Sequence, residues 1–122
     1  SRGVLVAAGA YLRGGCWLGE GCVVGPGAEL KSSFVFADST LAHFNFVGDS
    51  ILGSDVNLEA GAVVCNHRNE HDAAGLPATA RKFGALVGDG SRIGANAVLA
   101  PGTLLRPNSI VGRLELVDQQ RR

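Results

Sequence analysis

Small aliphatic residues return every six positions along most of this chain. From the N-terminus they are Val6, Leu12, Leu18, Val24 and Leu30, and later Val87, Ile93, Leu99, Leu105 and Val111. A period of six is too long for one helical turn and matches neither strand alternation nor a heptad. It is the signature of a solenoid in which each hexad supplies one short parallel strand and one turn. Gly9, Gly15, Gly21 and Gly27 keep the same period, which predicts turns with a left-handed backbone. The expected fold is all-β, with about three hexads per coil and five to six coils stacked at roughly 4.8 Å. Val6, Leu12, Leu18, Val24, Leu30, Val47, Leu58, Val87, Ile93 and Leu99 are expected to point inward.

The period is not perfect. In the stretch 41–66, LAHFNFVGDSILGSDVNLEAGAVVCN, the apolar series runs Leu41, Val47, Leu52, Leu58, Val64. The register slips by one near Val35 and again near Leu52, as a bulge would cause. After Asn66 the pattern stops, and residues 67–84, HRNEHDAAGLPATARKFG, read as a polar loop leaving the solenoid. Long excursions in compact repeats are often functional. Residues 114–122, LELVDQQRR, are expected to abandon the repeat as a cap or a frayed tail. The 122 residues fit one domain, 1–122, and a first residue Ser1 in place of Met keeps a longer parent chain open.

Eleven basic residues balance eleven acidic ones, so no basic field points to nucleic acid or an anionic membrane. No apolar run approaches the roughly 18 residues of a membrane-spanning helix. Cys16, Cys22 and Cys65 have no metal-ligand spacing, and Cys16 and Cys22, one hexad apart, fall on different faces. Unpaired thiols favour a reducing, cytoplasmic setting.

Some polar residues interrupt this economy. Arg13 and Lys31 are 18 residues apart with no slip between them, so they share a corner on adjacent coils. Like charges on neighbouring strands repel. An anion between them would reverse this, and phosphate suits an Arg clamp with a Lys point charge. The plainer alternative is that both side chains splay into water. His43 follows one coil on, expected on the same side and flanked by Asn45. Its ordinary pKa of about 6.5 suits a general base, although a lone histidine is more often a satisfied structural residue. Asn57 and Asn66 could orient an imidazole or bind sugar hydroxyls, or simply serve as turn residues.

With those residues in place the chain resembles the left-handed parallel β-helix acyltransferases of the hexapeptide-repeat superfamily. More narrowly it is similar to the C-terminal acetyltransferase domain of the bifunctional enzymes that make UDP-N-acetylglucosamine. The likeness covers about residues 12–66: Arg13, Lys31, His43 in LAHFNFVGD, Asn57 in DVNLEAGA and Asn66 in VVCN. Beyond the loop it is carried by the generic repeat. A less characterised set of solenoid transferases shares the AHFNFVGDS-like run and the KFGALVGD after the loop. The resemblance implies a left-handed coil and a homotrimer with active sites between subunits. It implies acetyl-CoA as co-substrate and an amino sugar phosphate or nucleotide sugar as acceptor. It gives His43 the role of general base and the backbone N–H of Ala60 that of oxyanion donor. Arg13 and Lys31 would hold the sugar phosphate, and Asn57 and Asn66 would contact the sugar or position the reacting groups. The family has tyrosines where this chain has Phe46 and His67, and a serine that contacts coenzyme A near Ala95. Phe46 therefore lines the substrate site without a hydroxyl.

Two other classes compete. A γ-type carbonic anhydrase shares the solenoid and needs three histidines on zinc. The chain has His43, His67 and His71, but the last two are spaced four apart where that family's pair is spaced five. A non-catalytic trimeric solenoid that binds a sugar phosphate is the other, favoured by Phe46 and Ala95. No metal site is expected under the leading reading.

Overall fold

The computed structural model describes residues 1–71 and 82–120. The chain winds as a left-handed parallel β-helix of about six turns. The first sheet stacks Leu5–Val6 (β1), Val23–Val24 (β4), Thr40–Leu41 (β7), Asn57–Leu58 (β10), Arg92–Ile93 (β13) and Ile110–Val111 (β16). The second stacks Tyr11–Leu12 (β2), Glu29–Lys31 (β5), Phe46–Gly48 (β8), Val63–Val64 (β11), Val98–Leu99 (β14) and Leu116–Val117 (β17). The third stacks Trp17–Leu18 (β3), Phe34–Val35 (β6), Ile51–Leu52 (β9), Ala85–Val87 (β12) and Thr103–Leu105 (β15). Three corners join them: first to second sheet, second to third, and third back to first.

The hexad dictates this section. One aliphatic per hexad points inward, and Val24, Leu30, Val35, Leu41, Val47, Leu52, Leu58, Val64 and Leu99 are fully buried. Val87 and Ile93 are buried with them, and Leu18 is partly buried against the same core. Val6 and Leu12 depart from expectation, at 44% and 38% exposed. They keep the inward register, pairing with Val24 and Leu30, but their coil is outermost and is covered on one side only. The glycines at 9, 15, 21 and 27 all have positive φ, as their spacing predicts.

The two register slips are shortened corners, not bulges. Strand pairing spans 18 residues from Leu5 to Val23, 17 from Trp17 to Phe34 and 17 from Phe46 to Val63, with the ladders unbroken. Both slips lie on the second-to-third corner, where Ser33 and Ser50 turn inward. Ser33 Oγ donates to the Lys31 carbonyl at 2.8 Å and accepts the Ser50 N–H at 3.0 Å. Ser50 Oγ donates to the Gly48 carbonyl at 2.8 Å and accepts the Ala85 N–H at 2.9 Å. This buried hydroxyl ladder satisfies the backbone groups that a tighter turn strands.

The polar excursion leaves from that same corner. Its ends are tied where the Phe83 N–H meets the Asn66 carbonyl at 3.0 Å and the Gly84 N–H meets the Asp49 carbonyl at 2.9 Å. Arg68 anchors its root to the last coil through Asp118 at 2.8 Å. A 3₁₀ turn spans Asn69–His71, and the middle of the predicted excursion, 72–81, lies outside the described residues. The tail corrects expectation. The repeat continues through Val117, because β17 pairs in register with β14. Gln119 then lays its side-chain amide along the Leu104 backbone, donating to its carbonyl and accepting its N–H, both at 2.8 Å. That amide imitates a further strand on the edge of the third sheet.

The outer faces differ. On the third sheet the outward column is Trp17, Phe34, Ile51, Leu86 and Leu104, paired in register, each exposed and each a large apolar residue. The corresponding columns of the first and second sheets are interrupted by Thr40, Asn57 and Arg92, and by Glu29.

Candidate functional site

His43 and Ala60 share the first-to-second corner on successive coils. The His43 carbonyl accepts the Gly61 N–H at 2.8 Å, which sets the Ala60 peptide directly above the histidine. Among the described residues the Ala60 N–H has no hydrogen-bond acceptor. His43 is solvent-exposed, its ring 6.4 Å from that of Phe44. Phe44 occupies a corner position that is glycine on three other coils, at Gly9, Gly27 and Gly61, and takes φ 53° there. A bulky residue in the left-handed region stores about 1–2 kcal/mol of strain, and Leu114 carries the same strain at this corner, at φ 63°.

One coil above His43, Glu59 clips three coils together. Its Oε1 accepts the Ala95 N–H at 2.8 Å and its Oε2 accepts from Arg113 at 2.9 Å. The Arg113 hydrogen bond, then the Ala95 N–H, hold this carboxyl below its ordinary range. Asn57 lies beside it on the outer face of the first sheet, in a groove shared with Arg92, Ile110 and Arg113.

The cations stand elsewhere. Arg13 and Lys31 do share the second-to-third corner on adjacent coils, as their spacing predicts, since Leu12 pairs with Leu30. Their repulsion is answered inside the chain. Arg13 pairs with Glu29 at 3.2 Å, and Lys31 with Asp49 at 2.9 Å. Asn66 joins them, donating its Nδ2 to the same Asp49 Oδ2 at 2.7 Å. Phe46 lies beside this cluster on the second sheet, and Gly48 beneath it. Next to Asn66, burial pushes the Cys65 thiol above its ordinary pKa.

The candidates thus form three groups. His43 and Ala60 are at one corner; Arg13, Lys31, Phe46 and Asn66 are at the far edge of the second sheet; Asn57 is on the first sheet. His43 is not on the side of the Arg13–Lys31 pair. Its corner follows a first-sheet strand and theirs follows a second-sheet strand. Asn45 does not flank the imidazole either: it is buried, with Nδ2 donating to the Glu59 and Ala62 carbonyls at 2.9 and 3.1 Å. His67 follows Asn66 at the second-to-third corner, away from His43, and the His71 side chain lies outside the described residues. Among the described residues no group of three or more His, Cys, Asp or Glu side chains could hold a metal ion. No helix among them is long and apolar enough to cross a membrane. Sequence reasoning missed Glu29 and Asp49, the two carboxylates that partner the cations.

Short strands, three sheets and left-handed corners define a hexapeptide-repeat β-helix. The family described as bacterial transferase hexapeptide (six repeats) matches residues 1–32. The chain resembles the C-terminal acetyltransferase domain of the bifunctional GlmU proteins. It is 34% identical over 116 residues to the bifunctional protein GlmU of Methanococcus vannielii, an alignment covering 90% of this chain and 28% of that one. It is 27% identical over 117 residues to a bifunctional sugar-1-phosphate nucleotidylyltransferase/acetyltransferase of Sulfurisphaera tokodaii, covering 85% of this chain and 29% of that one. The chain therefore spans under a third of the length of these relatives. Among solved structures, the acetyltransferase domain of PglB from Neisseria gonorrhoeae FA1090 superposes with a TM-score of 0.78 at 20% identity, covering 94% of this chain and 49% of that one. That likeness is one of fold.

Proposed function

We propose that this chain is an acetyl-CoA-dependent N-acetyltransferase acting on an amino sugar phosphate or a nucleotide sugar, working as a cytoplasmic homotrimer. The observation that carries it is the pairing of an exposed imidazole, His43, with an unclaimed backbone N–H, that of Ala60, one coil above. Acetyl-CoA supplies a thioester. His43 would take the proton that the acceptor amine sheds as its nitrogen bonds to the acetyl carbon, and the carbon–sulfur bond would then break to expel the thiolate, which takes that proton back from the imidazolium and leaves as the thiol. The Ala60 N–H would donate to the carbonyl oxygen as charge builds there. The groove beside Asn57 suits the coenzyme's chemistry, with guanidinium groups of Arg92 and Arg113 for phosphates and Ile110 for the apolar arm.

Arg13 and Lys31 would bind the acceptor phosphate through the N–H donors that their contacts with Glu29 and Asp49 leave free. Phe46 would lie against the sugar, and Asn57 and Asn66 would meet its hydroxyls. The breadth of the second sheet separates these cations from His43 within one chain, which supports a site completed by a second copy. The apolar third-sheet column supports such packing, since contiguous exposed apolar faces mark interaction surfaces. The free thiols Cys16, Cys22 and Cys65 accord with a reducing compartment.

Thiol release from acetyl-CoA with a panel of amino sugars, phosphorylated and not, tests the activity. Release is expected with a phosphorylated amino sugar. No release above buffer with any acceptor, from folded protein, would sink it.

A further inference from the structure

Lys31 and Asn66 are 35 residues and two coils apart, yet both donate to one carboxylate oxygen, Asp49 Oδ2, at 2.9 and 2.7 Å. Asp49 sits on the coil between them. Its own backbone is fixed, with its N–H donating to the Lys31 carbonyl and its carbonyl accepting from Gly84, both at 2.9 Å. It holds φ 50°, a left-handed angle that an Asp tolerates better than most residues. The pair is sheltered, with side-chain exposures of 22% for Lys31 and 18% for Asp49. Hydrogen bonds between charged groups in such surroundings are among the stronger ones.

The donor inventory decides what this leaves for a ligand. An ammonium has three N–H donors and a carboxamide two, plus an acceptor oxygen. With one donor of each committed to Asp49, Lys31 keeps two and Asn66 keeps one, together with its Oδ1. A long lysine side chain otherwise samples many rotamers, and fixing one on binding costs free energy. Among the described residues Asp49 Oδ1 accepts no hydrogen bond.

We infer that Asp49 is a positioning residue of the acceptor site, holding the Lys31 ammonium and the Asn66 amide so that both present their remaining polar atoms to one phosphorylated ligand. This rests on the acceptor reading proposed above. Asp49 acts through its two neighbours, so its effect falls on acceptor recognition and not on acyl transfer.

The test uses the whole chain with glucosamine 1-phosphate and free glucosamine as probes, acetyl-CoA as donor, and calorimetry beside kinetics. Asp49→Ala is expected to raise the KM and Kd for glucosamine 1-phosphate about tenfold or more, the scale of a charged hydrogen bond, with the KM for acetyl-CoA unchanged. Asp49→Asn, whose amide oxygen still accepts, is expected to recover part of the loss. Asp49→Ala combined with Lys31→Ala is expected to be little worse than Lys31→Ala alone, because the two act as one unit. If Lys31→Ala weakens the phosphorylated probe and Asp49→Ala does not, the positioning role is overturned while the acceptor site stands. Additive losses in the double variant overturn it as well. If the unaltered protein neither binds glucosamine 1-phosphate nor releases thiol with it, the functional reading falls and this inference with it.

Discussion

Gly48 lies against the amide of Asn66, 18 residues further along the chain. A Cβ at position 48 would stand 2.5 Å from Asn66 Nδ2 and 2.8 Å from the Phe46 ring carbon Cζ. The residue is buried, so the newcomer has nowhere to go but into those side chains. Gly48→Ala should cost about 1–3 kcal/mol, the usual penalty of overpacking, and should displace Asn66 from Asp49. Denaturant midpoints compared at equal slope give the number. An unshifted midpoint would show that the ring and the amide move aside freely.

His43→Ala separates chemistry from architecture. The side chain is exposed and forms no buried contact, so stability should change by no more than about 0.5 kcal/mol. Turnover should fall by about 10²–10⁴-fold, the contribution of a positioned base. A folded variant that keeps near-full acetyl transfer would place the base elsewhere.

Assembly is tested on the third sheet. Leu86 lies within its apolar column, between Ile51 and Leu104, and is 42% exposed. Leu86→Glu puts a charge inside that column, where desolvation without a partner is costly. Light scattering at micromolar protein should report three chains for the parent and one for the variant. A parent that is monomeric throughout removes the shared-site reading.

Acid should loosen the C-terminal coils. The Glu59 carboxyl is held below its ordinary value of 4.5 by Arg113 and by the Ala95 N–H. A depressed folded-state pKa means that the stabilisation is present above the unfolded value and is lost as pH falls through the folded one. The Ala95 amide resonance should therefore titrate with a midpoint below 4.5, and the difference in melting between parent and Glu59→Gln should shrink toward acid. A midpoint at or above 4.5 would count against the clip.

Much of this was legible in the chain. The hexad names the inward residues, and the slips at Val35 and Leu52 mark the two shortened corners. Inward residues counted in threes also assign each corner: Leu12 and Leu30 are second-sheet positions, while Leu41 is a first-sheet one. Carried through the slip at Val35, that count sets His43 on a different corner from Arg13 and Lys31, contrary to the one-coil step that places it on their side. Other features were hidden for physical reasons. Glu29 and Asp49 partner the cations across coils, and which carboxylate a flexible side chain reaches depends on the slip between them. Asn45 looks like a polar neighbour of His43, but it takes the inward place where two carbonyls of the next coil need a donor. Val6 and Leu12 follow the pattern and are nevertheless exposed, because burial in a repeat depends on having a neighbour on each side.

The excursion after Asn66 is closed at its neck by the Asn66 carbonyl and the Phe83 N–H, 3.0 Å apart, and by Asp49 and Gly84 beside them. Those two contacts bring the ends of the excursion together at one corner of the coil. Lengthening a flexible loop whose ends are already joined costs only about 0.6 kcal/mol per doubling. A change in the length of the chain joined there therefore leaves the strand register on either side of the neck undisturbed. An insertion of that kind enters without a break in the solenoid, at the edge that also carries Lys31 and Asp49.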